Sequence, residues 1–154
     1  MKRGDSPHFL KFRAKLWNWF GQSYGVEYSV IRGQNGQPYM SRWILYVHGR
    51  TLRLHKFWQG DDDRAPHDHP WNFWTFPLTS YTEQVFARPL TNLTRYRVVE
   101  AFRWHARPAS YQHIVIGRTD DKWRPFWTIV VTGPLQHGWG FWSRDRFIPW
   151  RDWR

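Results

Sequence analysis

Hydrophobic and polar positions follow two different periods along this chain of 154 residues. Near the start, the apolar residues of "FLKFRAKLWNWF" follow a helical spacing, with basic residues between them. Ser6 can cap a helix here, Pro7 suits a first turn, and Gly21 can end it. The pattern therefore predicts one amphipathic helix over residues 6–21, packed on the rest of the protein.

From about residue 40 the period changes to that of strands, at intervals of roughly 8 to 12 residues. "RWILYVH" and "TLRLHKFW" flank His48-Gly-Arg50, which indicates a hairpin. Further strands are predicted in "NFWTFPL", "YTEQVFA", "TRYRVVEAFRWH", "YQHIVIG", "FWTIVVTG" and "GWGFWSRDRFIPW". Strands do not alternate with helices, so a parallel sheet is excluded. We predict a single all-β domain over residues 1–154, with an antiparallel sandwich or barrel of roughly eight to ten strands.

The composition excludes several classes of protein. Cysteine is absent, which rules out disulfides, thiolate metal sites and a cysteine nucleophile, so any metal must bind nitrogen or oxygen. Basic residues interrupt the first apolar segment, so no signal peptide is predicted. No segment approaches the roughly 20 apolar residues that span a bilayer. We expect a cytoplasmic protein without a membrane partner.

The chain carries a formal charge of +11 and thirteen tryptophans. Both features suit nucleic acid, because arginine neutralises phosphates and aromatic faces stack on bases. The positive residues are dispersed along the chain, however, and background composition explains an excess of arginine and tryptophan equally well. We therefore expect weak, nonspecific binding to nucleic acid at most.

The segment "DDDRAPHDHPWNFWTFPL" places His67 and His69 one residue apart before a predicted strand. Residues i and i+2 of a strand face the same side, roughly 6 to 7 Å apart, so both imidazoles can reach one metal ion while Asp68 points away. His113 follows a proline-led turn in "RPASYQHIVIG", and a barrel can bring it beside the pair. Three histidines leave coordination positions open, as in a catalytic metal site. The alternative is a loop that caps a strand without binding metal.

These segments resemble the two motifs of the cupin superfamily. Gly60, His67 and His69 match the first motif, and Pro108 and His113 match the second. The segment "DRAPHDHPWNFW" and the later "TGP" and "WGF" are also similar to small cupin-like proteins with an "HDHPW" core. The resemblance covers residues 40–150. It implies a double-stranded antiparallel barrel, or jelly roll, which binds a divalent metal, with Fe(II) as the first expectation, and it leaves a homodimer open.

The chain departs from the cupin pattern where that pattern has a glutamate. Phe73 or Trp74 stands there, and Ser80 replaces the closing glycine. A cupin with three histidines and no glutamate resembles the thiol dioxygenases, which hold non-haem iron. Three neutral ligands leave the full charge on the metal, which favours anionic substrates. The predicted function is a metal-dependent oxygenase for a small anionic molecule. The alternative is a non-enzymatic ligand-binding protein or a nucleic-acid-associated accessory protein.

Other residues are weaker candidates for this site. Glu83 is predicted to be a ligand, a base or a partner of a ligand, or else a solvated charge. Arg64 is predicted to steer an anionic substrate, or to pair with the acidic residues 61–63. His55 is either a reserve ligand or a half-buried strand residue. Aromatic candidates for the cavity wall are Phe57, Trp71, Phe73, Phe76 and Trp139.

Overall fold

The computed structural model describes residues 9–19, 22–33, 36–60, 65–86, 94–143 and 146–152, and their side chains from residue 24 onward. Every regular element in these residues is a β-strand. The strands are β1 (Phe9–Trp19), β2 (Gln22–Arg32), β3 (Pro38–Val47), β4 (Arg50–Phe57), β5 (Phe73–Pro77), β6 (Tyr81–Phe86), β7 (Thr94–Val99), β8 (His105–Arg107), β9 (Gln112–Arg118), β10 (Phe126–Thr132), β11 (Gly140–Ser143) and β12 (Arg146–Pro149).

The strands form three antiparallel sheets. The largest has seven strands in the order β1-β2-β3-β4-β10-β5-β8, a second has the order β7-β6-β9, and β11 pairs with β12. The all-β antiparallel fold predicted from the sequence is therefore confirmed. The predicted closed barrel is not formed by the described strands, because β1 and β8 remain separate edges of the large sheet and closure needs a continuous ladder.

The N-terminal prediction is wrong where the structure describes it. Phe9–Trp19 forms β1 and pairs along its length with β2, instead of forming a helix. Residues 10–16 explain the error, since apolar and other residues alternate there with the strand period. The other positions of the predicted helix, 6–8 and 20–21, lie outside the described residues. Within the described segments, no helix has the length and apolar character needed to span a bilayer.

The predicted hairpin at His48 is confirmed. His48 and Gly49 both have positive φ, at 50° and 71°, as the two central residues of a two-residue hairpin turn require. This turn sets the register in which Arg42 of β3 lies opposite His55 of β4.

An aromatic stack joins the two larger sheets. Phe126 of β10 has no exposed surface, and its ring stacks on Phe57 of β4 at 4.7 Å between centroids. Tyr81 of β6 stacks on the same ring at 5.1 Å. Because Tyr81 belongs to the three-stranded sheet, this contact packs that sheet face to face on the large one.

Candidate metal centre

The three predicted histidines converge between the sheets. His67 and His69 lie in the segment that connects β4 to β5, and His113 lies on β9. One ring nitrogen from each lies within 4.8 Å of the others. The Nε2 atoms of His69 and His113 are 3.0 Å apart. The structure therefore brings together side chains that are separated by 44 residues in sequence.

Backbone hydrogen bonds position the segment that carries the first two histidines. His67 and His113 exchange two N–H to carbonyl bonds, each 3.2 Å long. His69 N–H donates to the carbonyl of Ala109 at 3.1 Å, and Asp68 N–H donates to the carbonyl of Gly140 at 3.2 Å. The segment is thus held between β9 and β11, which limits the directions in which both imidazoles can point.

Asp68 contacts β11 rather than the imidazoles. Its carboxylate accepts hydrogen bonds from Gly140 N–H at 3.1 Å and from Trp142 Nε1–H at 3.2 Å, and only 2% of the residue is exposed. Asp68 therefore anchors the middle of the His-x-His segment from the side opposite to the ring cluster.

Glu83 supports His113 from behind. The Glu83 carboxylate accepts a hydrogen bond from His113 Nδ1 at 2.9 Å, another from Arg107 Nη2 at 3.2 Å, and a third from the Tyr111 hydroxyl. A carboxylate can only accept, so Nδ1 of His113 carries the proton. In a neutral ring the lone pair is then on Nε2, which lies 3.0 Å from Nε2 of His69 and is the atom that would bind a metal.

The charge of Glu83 follows from the same contacts. Burial alone would raise the pKa of this carboxyl group, which is 1% exposed. The hydrogen bond and charge of His113, the Tyr111 hydroxyl and Arg107 outweigh burial and lower the pKa of Glu83 to about 2. Glu83 is therefore ionised at neutral pH.

The sequence did not identify Arg107 or Tyr111 as partners of Glu83, although Tyr111 lies only two residues before His113.

An aromatic residue occupies the place where the cupin pattern has its glutamate. Phe73 is buried, and its ring centroid lies 4.4 Å from that of His69. Trp74 is on the other side of β5 and is 40% exposed. Trp71 stacks on His69, with centroids 5.3 Å apart and the planes 17° from parallel. The described wall beside His69 is therefore aromatic, and neither ring offers a metal ligand.

The remaining sequence candidates lie elsewhere or outside the described residues. Phe57 belongs to the core stack, while Phe76 contacts Phe102 and Trp104. Trp139 stacks on Trp150 at 5.7 Å. Arg64 and the acidic residues 61–63 are not among the described residues. His55 is buried on β4 and is not a member of the three-histidine group.

The ring nitrogens of His69 and His113 have the spacing that a divalent metal needs. Metal-to-nitrogen bonds of about 2.0 to 2.1 Å place ligands at neighbouring octahedral positions about 3 Å apart. The His69 and His113 nitrogens are separated by that distance. Burial, and then the neighbouring His67 and His113, hold the pKa of His69 well below its usual range. His69 is therefore neutral at pH 7, as a metal ligand must be.

No protein family matches the sequence, and no curated protein matches it. Its fold is similar to that of the Fe(II) form of HppE, with a TM-score of 0.52, 11% sequence identity, and coverage of 69% of this chain and 56% of that one. It is also similar to an oxalate decarboxylase from Lactobacillus farciminis in a formate complex, with a TM-score of 0.50, 14% identity, and coverage of 67% of this chain and 31% of that one. The chain thus spans about half the length of the first structure and less of the second. These similarities show that the chain has a cupin-like fold.

Proposed function

We propose that this protein binds a divalent metal ion through His67, His69 and His113, and that it acts as an iron-dependent oxygenase on a small anionic molecule. The observation that carries the proposal is the convergence of three imidazole nitrogens within 4.8 Å, with Glu83 bonded to the far side of His113. A histidine that donates its second N–H to a carboxylate is the common arrangement behind metal-bound imidazoles.

The residues around the ring cluster have distinct roles in this proposal. Glu83 fixes the tautomer and the orientation of His113. Asp68 fixes the backbone between His67 and His69. Phe73, packed against His69, limits the access of water to one side of the site. A bound ferrous ion would supply a Lewis acid with open coordination positions, at which a chelating anion and dioxygen can react.

One argument supports the substrate class of this proposal, and a second supports its metal. Three neutral ligands leave the charge of the ion uncompensated, which favours an anionic substrate. The structurally similar HppE is described as an Fe(II) protein. The described residues add no carboxylate to the three-histidine group, in agreement with the apolar Phe73 beside it.

Metal content tests the ligand assignment. His67→Ala and His113→Ala should each lose most of the metal that the wild type retains after loading with Fe(II) and desalting, as measured by elemental analysis. His105→Ala is the matched control, because His105 bonds the Glu100 carbonyl at 2.9 Å and lies outside the cluster. Circular dichroism should show a folded protein in all three variants. Unchanged metal content in both cluster variants would refute the assignment.

Oxygen consumption tests the activity separately. The iron-loaded protein should consume oxygen in the presence of a small thiol or another chelating anion, above the rate of free iron, and His67→Ala should abolish the excess. If the iron-loaded protein consumes oxygen no faster than free iron with each of the thiols and chelating anions tested, the oxygenase proposal is refuted. A non-enzymatic metal-binding protein would then be the better description.

A further inference from the structure

The large sheet carries a second group of basic side chains near the histidines. Arg42 of β3 lies directly opposite His55 of β4. Arg53 is two residues from His55 on the same strand, so all three side chains project from one face of the sheet. Arg42 and Arg53 are diagonal neighbours on adjacent strands, and like charges in such positions repel each other, so the fold gains no stability from this pair.

Trp71 connects this basic group to the three histidines. The guanidinium carbon of Arg53 lies 4.4 Å from the centre of the Trp71 ring, and Trp71 in turn stacks on His69. A single indole ring therefore separates the Arg53 guanidinium from His69.

Among the described side chains, this group holds more positive charge than negative charge. Arg53 Nε donates to Thr51 Oγ1 at 2.7 Å, and within the described part of the chain no ion pair or hydrogen bond engages its two terminal nitrogens. Arg42 Nε donates to Ser29 Oγ at 2.7 Å and faces Glu27 at 3.9 Å. Among the described side chains, Glu27 is therefore the one carboxylate within ion-pair distance of either guanidinium.

His55 adds an unsatisfied polar atom at the same place. The residue is 9% exposed, and none of the described residues forms a hydrogen bond with its Nε2 atom. Burial first, and then Arg53 and Arg42, keep the pKa of His55 well below its usual range, so the ring is neutral. A neutral imidazole can donate one N–H to an anion. Buried polar atoms are nearly always satisfied, so an unsatisfied ring nitrogen beside two guanidiniums favours this place for a polar group of a ligand.

We propose that Arg53, together with Arg42 and His55, is the receptor for a carboxylate group of the substrate. The inference rests on the proposed function and narrows its substrate class to small carboxylic acids. The free terminal nitrogens of Arg53 match the two oxygens of a carboxylate, and a guanidinium fixes such a group in a defined plane. With its carboxylate held beside Trp71, a small substrate can direct a second donor group toward the histidine cluster.

Binding of malonate to the metal-free protein tests this assignment. Titration followed by calorimetry should show saturable binding of malonate and none of uncharged malonamide. In nitrogen-15 spectra of the wild type, malonate should shift the indole N–H signal of Trp71 and the Nε–H signal of Arg53. Arg53→Met should weaken binding tenfold or more, the equivalent of about one charge-assisted hydrogen bond. Arg50→Met is the matched control, since Arg50 lies on the same strand but is exposed, and it should bind malonate like the wild type.

The outcomes separate this inference from the metal assignment. Malonate binding that depends on Arg53 supports the inference, whether or not the histidines retain metal. Failure of the histidine variants to change metal content would refute only the proposed function. Three outcomes would refute the assignment of Arg53 as a carboxylate receptor. Malonate does not bind, or it binds Arg53→Met and Arg50→Met equally well, or the wild-type shifts are confined to signals away from Trp71. If Arg53→Met does not fold, the wild-type shifts alone decide.

Discussion

Replacing Glu83 with glutamine should destabilise the metal-free protein by about 3 kcal/mol at pH 7. Glutamine keeps the shape of the side chain and can still accept a hydrogen bond from His113. It removes the negative charge that faces Arg107, whose side chain is only 5% exposed. Breaking a buried ion pair from one side leaves an uncompensated buried charge, at a cost of about 3–5 kcal/mol.

The lowered pKa of Glu83 leads to a similar value for the loss of folding free energy. Its pKa falls from an ordinary value of 4.5 to about 2 in the folded protein. Each tenfold change in a proton-binding constant corresponds to about 1.4 kcal/mol, so ionised Glu83 contributes about 3 kcal/mol to folding at neutral pH. For a chain of this length, that loss lowers the melting temperature by about 6–12 °C.

The same contribution should depend on pH in a defined direction. The pKa of Glu83 is lower in the folded state than in the unfolded state, so its contribution is complete above about pH 4.5 and declines as the pH falls toward 2. The stability difference between the wild type and Glu83→Gln should therefore be largest at neutral pH and should shrink between pH 5 and pH 3.

Urea unfolding of chelator-treated protein measures these differences. Glu100→Gln is the matched control, because Glu100 pairs with Arg103 at the surface, where both side chains are more than half exposed, and its loss should have little effect. The double replacement Glu83→Leu with Arg107→Met should be more stable than Glu83→Leu alone, since it leaves no buried cation. A loss below about 1 kcal/mol for Glu83→Gln, or a loss that is the same at pH 3 and pH 7, would refute the reasoning.

Three further predictions concern packing and charge. Gly60→Ala should destabilise the fold by about 1–3 kcal/mol or more in thermal unfolding, because an added Cβ would lie 1.8 Å from the Ile116 carbonyl oxygen. Gly138→Ala is the control and should be nearly neutral, because its Cβ would meet no atom within 4 Å. Phe126→Ala removes the ring between Phe57 and Tyr81 and should cost about 3–5 kcal/mol in urea unfolding; a loss under about 1 kcal/mol would contradict its place in the core. DNA binding should be micromolar or weaker and nearly absent at about 0.2 M salt in a fluorescence anisotropy titration, and tight binding that survives such salt would favour the nucleic-acid function.

Much of the strand content follows from local sequence. Alternating apolar residues and turn signals predict β3 to β7 and β9 to β12, because period-two alternation is a property of each segment alone. The turn at His48 and Gly49 predicts the β3–β4 hairpin for the same reason. The His-x-His pair is also local, since residues two apart on an extended segment face one side.

The N-terminal segment shows where local pattern is insufficient. Residues 9–19 satisfy a helical spacing, yet the alternation in residues 10–16 also suits a strand. Antiparallel pairing with β2 decides in favour of the strand. The backbone N–H and C=O groups of residues 9–19 find their partners on β2, whereas in a helix they would find them within the segment.

The arrangement of the site depended on tertiary structure. The sequence named His67, His69, His113 and Glu83 as candidates, but it left open whether Glu83 contacts solvent, a metal or another side chain. The register of β6 against β9 settled that contact, because it places the Glu83 carboxylate 2.9 Å from Nδ1 of His113.

The sequence also contains no signal that separates Arg53 from the many other arginines. Arg53 differs from Arg50 only in the strand face on which it lies and in what that face meets, and both depend on pairing between distant segments. The sequence by itself therefore determined most of the strands from β3 onward and the histidine motif, which follow from neighbouring residues. Only the tertiary structure decided which charged side chains share the interior with that motif, because their burial and partners are set by long-range sheet register.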